Sequence, residues 1–482
     1  MINMQYASII DAIRTNAEHS PARLCLVDGT TQVTYGQYWQ KICRAAENFQ
    51  AQGLARDGKA MLISTQTIDY LAALHAVQLA GAIAVPLERG CVEKRIREIA
   101  NALGTAYLYG GAAYSGIQAL TSETGDGAGT FTYPLPKTDS TSLILFTTGT
   151  TGTSKGIELT HGADVAVAEN VKYGVQMQPD NVEMLPMPLN HSFALRRYFA
   201  SMINGSAVAL TDGVMNLKDF YATMQTYHAT SMALAPSMLS VLLKLSKAEL
   251  AKYDAQLDFV QMGSAPLPEQ EKQTLMAILP SCRLYNLYGS TEAGCACILD
   301  FNRHKDMPNC IGRPTVNSLL RIVDDHHKPI ETNSERTGFL CWGGSMCMKG
   351  YYGDPDLTHQ VLVDGFIRSN DVGYMDGLGW VYMLGRNDDV ILSGGMKIQP
   401  ADVEKVAIGF AGVSDSICFG RQISETMTIV ALGYVSDTVL DPIAYRNFLS
   451  ANLNDYMVPR VIEKIDSVPR TFNGKILRKG MK

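Results

Sequence analysis

The sequence contains no C-x-x-C pair, and its nine histidines stand at none of the spacings of a zinc finger. Those absences exclude the common structural zinc motifs. Its ten cysteines are scattered from Cys25 to Cys418. They read as reduced thiols and place the protein in the cytoplasm. Charge of one sign is also missing. Lys and Arg total 41 and Asp and Glu total 47, a net charge of −6. No global basic field is available for nucleic acid or an anionic membrane, so any polyanion must be held by a local site. The N-terminal stretch MINMQYASIIDAIRTNAEHSP carries Asp11 and Arg14 and lacks the apolar core of a signal peptide. The most apolar run, residues 70–87, contains His75, Gln78 and Pro86. It reads as a buried helix running into a strand rather than as a membrane span. What remains is 482 residues, 46% apolar and 18% charged. That composition fits a soluble globular chain of two to four domains, at about 150 residues each.

The first half alternates helix and strand. Thr34 and Gln37 form a capping box for a helix through Gln52. Strands are predicted at 60–64, 82–86, 106–109, 206–210, 231–235 and 258–262, with helices at 68–79, 95–103, 217–227 and 239–245. Apolar strands separated by helices predict parallel sheets covered on both faces. Between residues 310 and 386 the texture changes to LLRIVDD, GFLCWGG, GFIRSND and GWVYMLGR, short strands with Gly and Asp turns. The remainder reads as one small α/β domain with strands near 416–419 and 428–434 and a helix near 442–453. Its last thirteen residues, from Arg470, carry five basic residues and no acidic one. That tail is expected to seek anions.

Four segments carry chemistry. Residues 143–156, LILFTTGTTGTSKG, run an apolar strand into a loop of Gly, Thr and Ser closed by Lys155. Glycines let backbone N–H groups turn onto an anion, and hydroxyls add donors. The segment fails as a Walker loop, because the glycine spacing is wrong and Gly156 stands where Ser or Thr should follow the lysine. IELTH behind it reads as strand, so no helix dipole backs the loop, and a plain surface loop has the same composition. Residues 285–294, YNLYGSTEAG, put an aromatic, a glycine, hydroxyls and a carboxylate in one turn. An aromatic stacks on a purine, a Thr donates to phosphate and a Glu holds magnesium. Residues 369–397 hold Asp371, whose carboxylate suits a ribose diol, and Arg386. The fourth segment is the tail PRTFNGKILRK with Lys475.

In this order the four motifs resemble the adenylate-forming superfamily: acyl-CoA synthetases, adenylation domains of nonribosomal peptide synthetases, and luciferases. The resemblance covers the chain and includes VTYGQYWQKICRAAENFQAQGL and LAALHAVQLAGAIAVPL in its first part. It implies an α/β protein. A large N-terminal AMP-binding domain, 1–387, has parallel-rich sheets with helices plus a β-rich subdomain, and a small mobile α+β domain spans 388–482.

The resemblance assigns roles residue by residue. Thr147, Thr148, Gly149, Thr150, Thr151, Gly152 and Lys155 would hold the ATP phosphates. Ser154 stands where the family has proline. Gly263, Ser264 and Ala265 would border the adenine, Tyr288 would stack on it with Gly289 beside it in the nucleotide site, Thr291 would touch the α-phosphate and Glu292 would ligate magnesium. Asp371 and Arg386 would bind ribose, although Ser369 and Asn370 replace the usual T-G before the aspartate. Lys475 would catalyse the first step and the loop at 393–397 would serve the second, with the domain turning at Asp388. His191 in PLNHSFAL matches a gate near the acyl carboxylate, and it reads equally well as a packed core histidine.

The implied reaction is ATP-dependent activation of a carboxylic acid to an acyl-adenylate, then transfer to a thiol. The expected cofactors are ATP, Mg2+ and coenzyme A. The acceptor alternative is the phosphopantetheine of a separate acyl-carrier protein, because no attachment segment follows Lys482. A non-catalytic acyl or nucleotide binder is a further alternative, and retention of Asp371, Glu292 and Lys475 argues against it. No nucleic acid and no integral membrane association is expected. The acyl pocket would be walled by residues 192–199, where one of Arg196 and Arg197 is a candidate reader of a second carboxylate; paired helix arginines more often face solvent or bridge to a neighbour. No aspartate follows His191, which disfavours amino acids as substrates.

Overall fold

The computed structural model of the protein describes residues 5–122, 134–147, 155–393, 396–424, 427–471, 474, 476–478 and 481. Two compact units result. The first comprises Met1–Arg321, Cys341–Arg368 and Gly379–Val381, and the second comprises Ile322–Leu340, Ser369–Leu378 and Tyr382–Lys482. Asp388 lies within the second unit. The strands Leu319–Val323, Gly338–Gly343, Phe366–Met375 and Val381–Arg386 supply the β-rich texture expected after residue 310, and each has residues in both units.

The first unit is α/β. One sheet runs Cys310–Pro314, Gly294–Asp300, Arg283–Ser290, Phe259–Met262, Ser231–Leu234, Val182–Leu185, Ala207–Leu210, Leu24–Asp28, Thr31–Thr34. Its middle strands pair in parallel, with Met232 opposite Val260 and Val260 opposite Leu284. All four residues of Ser231–Leu234 and of Phe259–Met262 are buried. Burial on both faces is why these strands read as continuous apolar runs. Each large aliphatic side chain so buried contributes about 1.5–3 kcal/mol. A second sheet orders Gly350–Tyr351, Lys155–Thr160, Thr141–Thr147, Ile83–Leu87, Lys59–Ile63, Tyr107–Tyr109, Gln118–Leu120.

Helices form where the caps predict. Thr34 and Gln37 exchange both capping-box bonds at the head of Tyr35–Ala51. Thr67 accepts from the Tyr70 amide at 3.2 Å and opens Ile68–Leu79, every residue of which except Asp69 is buried. The apolar run at 70–87 is thus a buried helix followed by the strand Ile83–Leu87. Among the described residues no helix is long and apolar enough to cross a membrane.

The second unit is α+β. Asp415–Ser424 and Met427–Val435 pair antiparallel, and Val461–Lys464 adds in parallel to the latter. Helices Pro400–Ala407 and Pro442–Asn452 cover this sheet through Val403, Ala407, Tyr445 and Leu449, which pack with Cys418 and Leu432. Ile391–Ser393 and Met396–Ile398 form a two-stranded hairpin.

Candidate functional site

The sequence YGSTEAG folds as the tip of a β-hairpin. Arg283–Ser290 and Gly294–Asp300 run antiparallel, with a bulge between Tyr288 and Gly289 and the pair Ser290–Gly294 closing the turn. The glycines are structural requirements. A Cβ on Gly289 would collide with the Gly294 carbonyl, and Gly294 sits at φ +74° with Met346 packed where its side chain would go. Ser290 Oγ accepts from the Ala293 amide at 3.0 Å.

Four neighbours hold this turn. The helix Ser192–Asn204 reaches it with Arg196, which donates to the carbonyls of Ser290 (2.6 Å), Gly294 (3.1 Å) and Thr291 (3.3 Å). Ser192 Oγ lies 3.1 Å from Thr291 Oγ1. The Glu292 carbonyl accepts from the Met348 amide at 2.7 Å. Tyr351 donates its hydroxyl to Glu292 Oε1 at 3.1 Å. Burial first, and then the Glu292 charge, push the Tyr351 phenol up.

Tyr351 also ties this turn to the Gly/Thr loop. Gly350–Tyr351 pairs antiparallel with Lys155–Thr160, and the Tyr352 amide donates to Gly156 at 2.8 Å. Lys155 Nζ stands 5.6 Å from the Tyr351 ring centroid, within cation–π reach. Thr147 and Lys155 are paired across the root of the loop. The expected strand after the loop is present. Thr148, Gly149, Thr150, Thr151, Gly152 and Ser154 lie outside the described residues, as does Lys475.

The adenine-side prediction falls just beyond the strand Phe259–Met262. Ser264 adopts φ +76°, in the left-handed region that few side chains accept, and this marks a strained bend between Gly263 and Ala265. The Phe193 ring packs where a Cβ of Gly263 would meet it at 2.9 Å. The Tyr288 ring lies 5.6 Å from that of Trp342. His191 takes the N-cap position of Ser192–Asn204, and its carbonyl accepts from the Leu195 amide at 3.1 Å. Burial lowers its pKa and Glu88 opposes that shift, so the ring is neutral at pH 7.

Both arginines of the predicted acyl wall are buried, Arg196 at 6% and Arg197 at 0% exposure. Arg197 forks onto Glu183 at 2.9 and 2.6 Å and donates to Gln261 at 2.6 Å. Arg196 is engaged by the turn. Both bridge to neighbouring elements, the commoner of the two readings of paired helix arginines, and neither donates outside the fold in these bonds.

In the second unit Asp371 lies in Phe366–Met375, and its amide donates to Ser369 Oγ at 3.1 Å. Arg386 ends the strand Val381–Arg386. Asp388 sits in the short 3-10 turn Asn387–Asp389. Ser393, Met396 and Lys397 belong to the hairpin strands, while Gly394 and Gly395 lie outside the described residues. The tail's two arginines are engaged within the unit. Arg470 binds Asp415 in a fork at 2.9 and 2.9 Å, and Arg478 forks onto Glu404 at 2.7 and 2.7 Å and reaches Asp389 at 3.2 Å.

Sequence reasoning missed three participants. Tyr351 carries no motif of its own. Arg196 reads from sequence as part of the acyl wall. Gln66 donates to the carbonyls of Leu185, Met187 and Thr211 at 3.0, 3.0 and 3.1 Å, and so holds the strand that leads into the His191 segment. Among the described residues no group of three His, Cys, Asp or Glu can hold a metal ion. Glu292 is a single carboxylate on a rigid turn. That donor set fits magnesium, which keeps waters and phosphate ligands and takes only one or two carboxylates.

Comparison with known proteins places the chain in a family and a fold. The profile of the family described as AMP-binding enzyme matches residues 13–352. A 2-succinylbenzoate–CoA ligase of Staphylococcus aureus is 28% identical over 342 residues, 70% of this chain and 66% of that relative, so the match spans just under two thirds of its length. A 2-succinylbenzoate–CoA ligase of Bacillus cereus is 24% identical over 472 residues, 96% of each chain. Among solved structures, o-succinylbenzoate CoA synthetase from Bacillus subtilis, in complex with the acyl-adenylate OSB-AMP, superimposes with a TM-score of 0.87 at 21% identity over 97% of both chains. ATP-bound MatB from Rhodopseudomonas palustris gives 0.86 at 20% identity, again over 97% of both. The fold is that of these enzymes, and the chain belongs to the AMP-binding enzyme family.

Proposed function

We propose that the protein activates a carboxylic acid with ATP and magnesium and passes the acyl group to coenzyme A. A carboxylate oxygen bonds to the α-phosphorus and the bond to pyrophosphate breaks, giving an acyl-adenylate. A thiolate sulfur then bonds to the acyl carbonyl and AMP leaves, giving a thioester. The observation that supports this most is the restrained turn that presents Thr291 and Glu292, tied through Tyr351 to the root of the Gly/Thr loop.

In this reading Thr291 donates to the α-phosphate, Glu292 meets magnesium, and Lys155 with the loop at 147–152 holds the outer phosphates. Gly263, Ser264, Ala265, Tyr288 and Gly289 border the adenine, and Asp371 and Arg386 take the ribose. His191, neutral at pH 7, borders the acyl carboxylate without competing for it as a cation. Lys475 stabilises charge in the first step. Preorganised donors of this kind act where charge develops, and removal of one costs about 100- to 1000-fold. The domain boundary at 387/388, a turn at Asp388 between half-reactions and a cytoplasmic location belong to the same proposal.

The test is pyrophosphate release over a panel of carboxylic acids headed by 2-succinylbenzoate, the acid in the relatives' names. Coenzyme A and a phosphopantetheinylated carrier are compared as acceptors. Acid-dependent release with thioester formation on coenzyme A is expected. Transfer to the carrier alone would move the protein to the carrier-loading reading. Nucleotide binding without release on any acid would make it a binder.

A further inference from the structure

We propose that Arg196 is a positioning residue for magnesium–nucleotide chemistry, fixing the turn that carries Thr291 and Glu292. The inference rests on the reading of those two residues given above. It arises from a contrast between adjacent arginines on one helix. Arg197 is fully buried, and so is its carboxylate partner Glu183, 2.6 Å away. That pair neutralises itself, as buried charges generally must. Among the described residues Arg196 forms no salt bridge, yet it is 6% exposed. Its guanidinium spends its donors on the carbonyls of Ser290, Thr291 and Gly294.

An unpaired cation is costly to bury, and main-chain carbonyls offset that cost only in part. A side chain serving packing alone would be better replaced by an apolar one. Three bonds converging on one turn instead define where the Thr291 hydroxyl and the Glu292 carboxylate stand. A guanidinium has the planar fork for this, and an ammonium does not. Asp164, on the adjacent helix His161–Gly174, lines the same small cavity as Arg196, and each perturbs the other electrostatically. Ser142 Oγ donates to Asp164 at 2.6 Å. Burial pushes the Asp164 carboxyl up to about 7, so it offsets the Arg196 charge only in part and leaves the guanidinium on the turn.

The test uses the full-length protein with Arg196→Lys, which keeps the charge and loses the fork, and Arg196→Met, which loses both. Glu292→Gln is measured alongside. Hydrogen exchange of a peptide covering residues 285–298 reads the turn directly, and the magnesium concentration for half-maximal pyrophosphate release reads its chemical consequence. Exchange at the turn and the magnesium requirement should both rise in Arg196→Lys, the former about 10- to 100-fold for loss of charge-assisted bonds. The kcat should fall more than the KM for the acid changes. Unchanged exchange in Arg196→Lys overturns the proposal, even if Arg196→Met fails to fold. Faster exchange with an unchanged magnesium requirement overturns it too, provided Glu292→Gln raises that requirement. If Glu292→Gln leaves the requirement unchanged, the magnesium reading itself fails and the positioning role fails with it.

Discussion

The turn that carries Glu292 lies between strands of eight and seven residues, inside a broad sheet, and receives bonds from Arg196, Ser192, Met348 and Tyr351. The hairpin that carries Lys397 has strands of three residues each and is fastened to its unit by the buried residues Ile391 and Ile398. One carries a group that the proposed chemistry needs in a single arrangement. The other carries a segment proposed to act in the second half-reaction only. A site held by several independent bonds is expensive to displace, whereas a short two-stranded piece has little stability of its own. These two segments differ in the number of bonds that hold them, as they differ in the step proposed for each.

The sharpest way to break that division is Lys475→Ala. Adenylate formation should fall about 100- to 1000-fold, while thioester formation from supplied acyl-adenylate persists, measured as pyrophosphate and AMP release respectively. Equal loss of both would erase the distinction. Asp388→Pro tests the other side. Fixing φ near −65° at that residue should leave pyrophosphate exchange within about twofold and cut thioester formation tenfold or more, on the scale of a blocked conformational step. Tyr351→Phe removes one of the four holds on the turn. Loss of a single bond to a carboxylate should reduce the first step about 10-fold or somewhat more, with the second step unchanged.

The smallest effect concerns stability. Burial holds His75 down to about 4 and His161 down to about 3, and both lie in the first unit. The unfolded chain binds their protons as pH falls through about 6.5, and the folded chain does not until near 4 at His75 and near 3 at His161. The contribution of these two histidines should therefore be full above pH 6.5 and be lost between 6.5 and about 3, while Asp164, which burial pushes up to about 7, gives a smaller opposing slope as pH rises from 3.8 to about 7. Denaturant midpoints against pH read this slope, and His75→Gln should make it shallower.

Much of the scaffold was legible because local signals agreed with the fold. The capping box at Thr34, the helix Ile68–Leu79 and the strand behind the Gly/Thr loop all follow from short-range chemistry. Other features depend on distant partners. The helix Ser192–Asn204 is buried from Phe193 to Ile203, so periodicity could not assign a face to Arg196 or Arg197. The tail looked like unpaired positive charge because Asp415 and Glu404, which bind Arg470 and Arg478, lie 55 and 74 residues away. The helix predicted at 239–245 begins at Pro236, where a proline fits the first turn, and extends to Leu250 through a kink at Ser246. Tyr351 and Gln66 act by reaching across the fold, and nothing in their neighbours announces it.

The proposed chemistry stands or falls on formation of an acyl-adenylate. Acid-dependent exchange of labelled pyrophosphate into ATP, with magnesium present and no thiol added, measures that step alone. Exchange should require a carboxylic acid, continue without coenzyme A and collapse in Lys475→Ala. Exchange absent with every acid, or undiminished in Lys475→Ala, would contradict it.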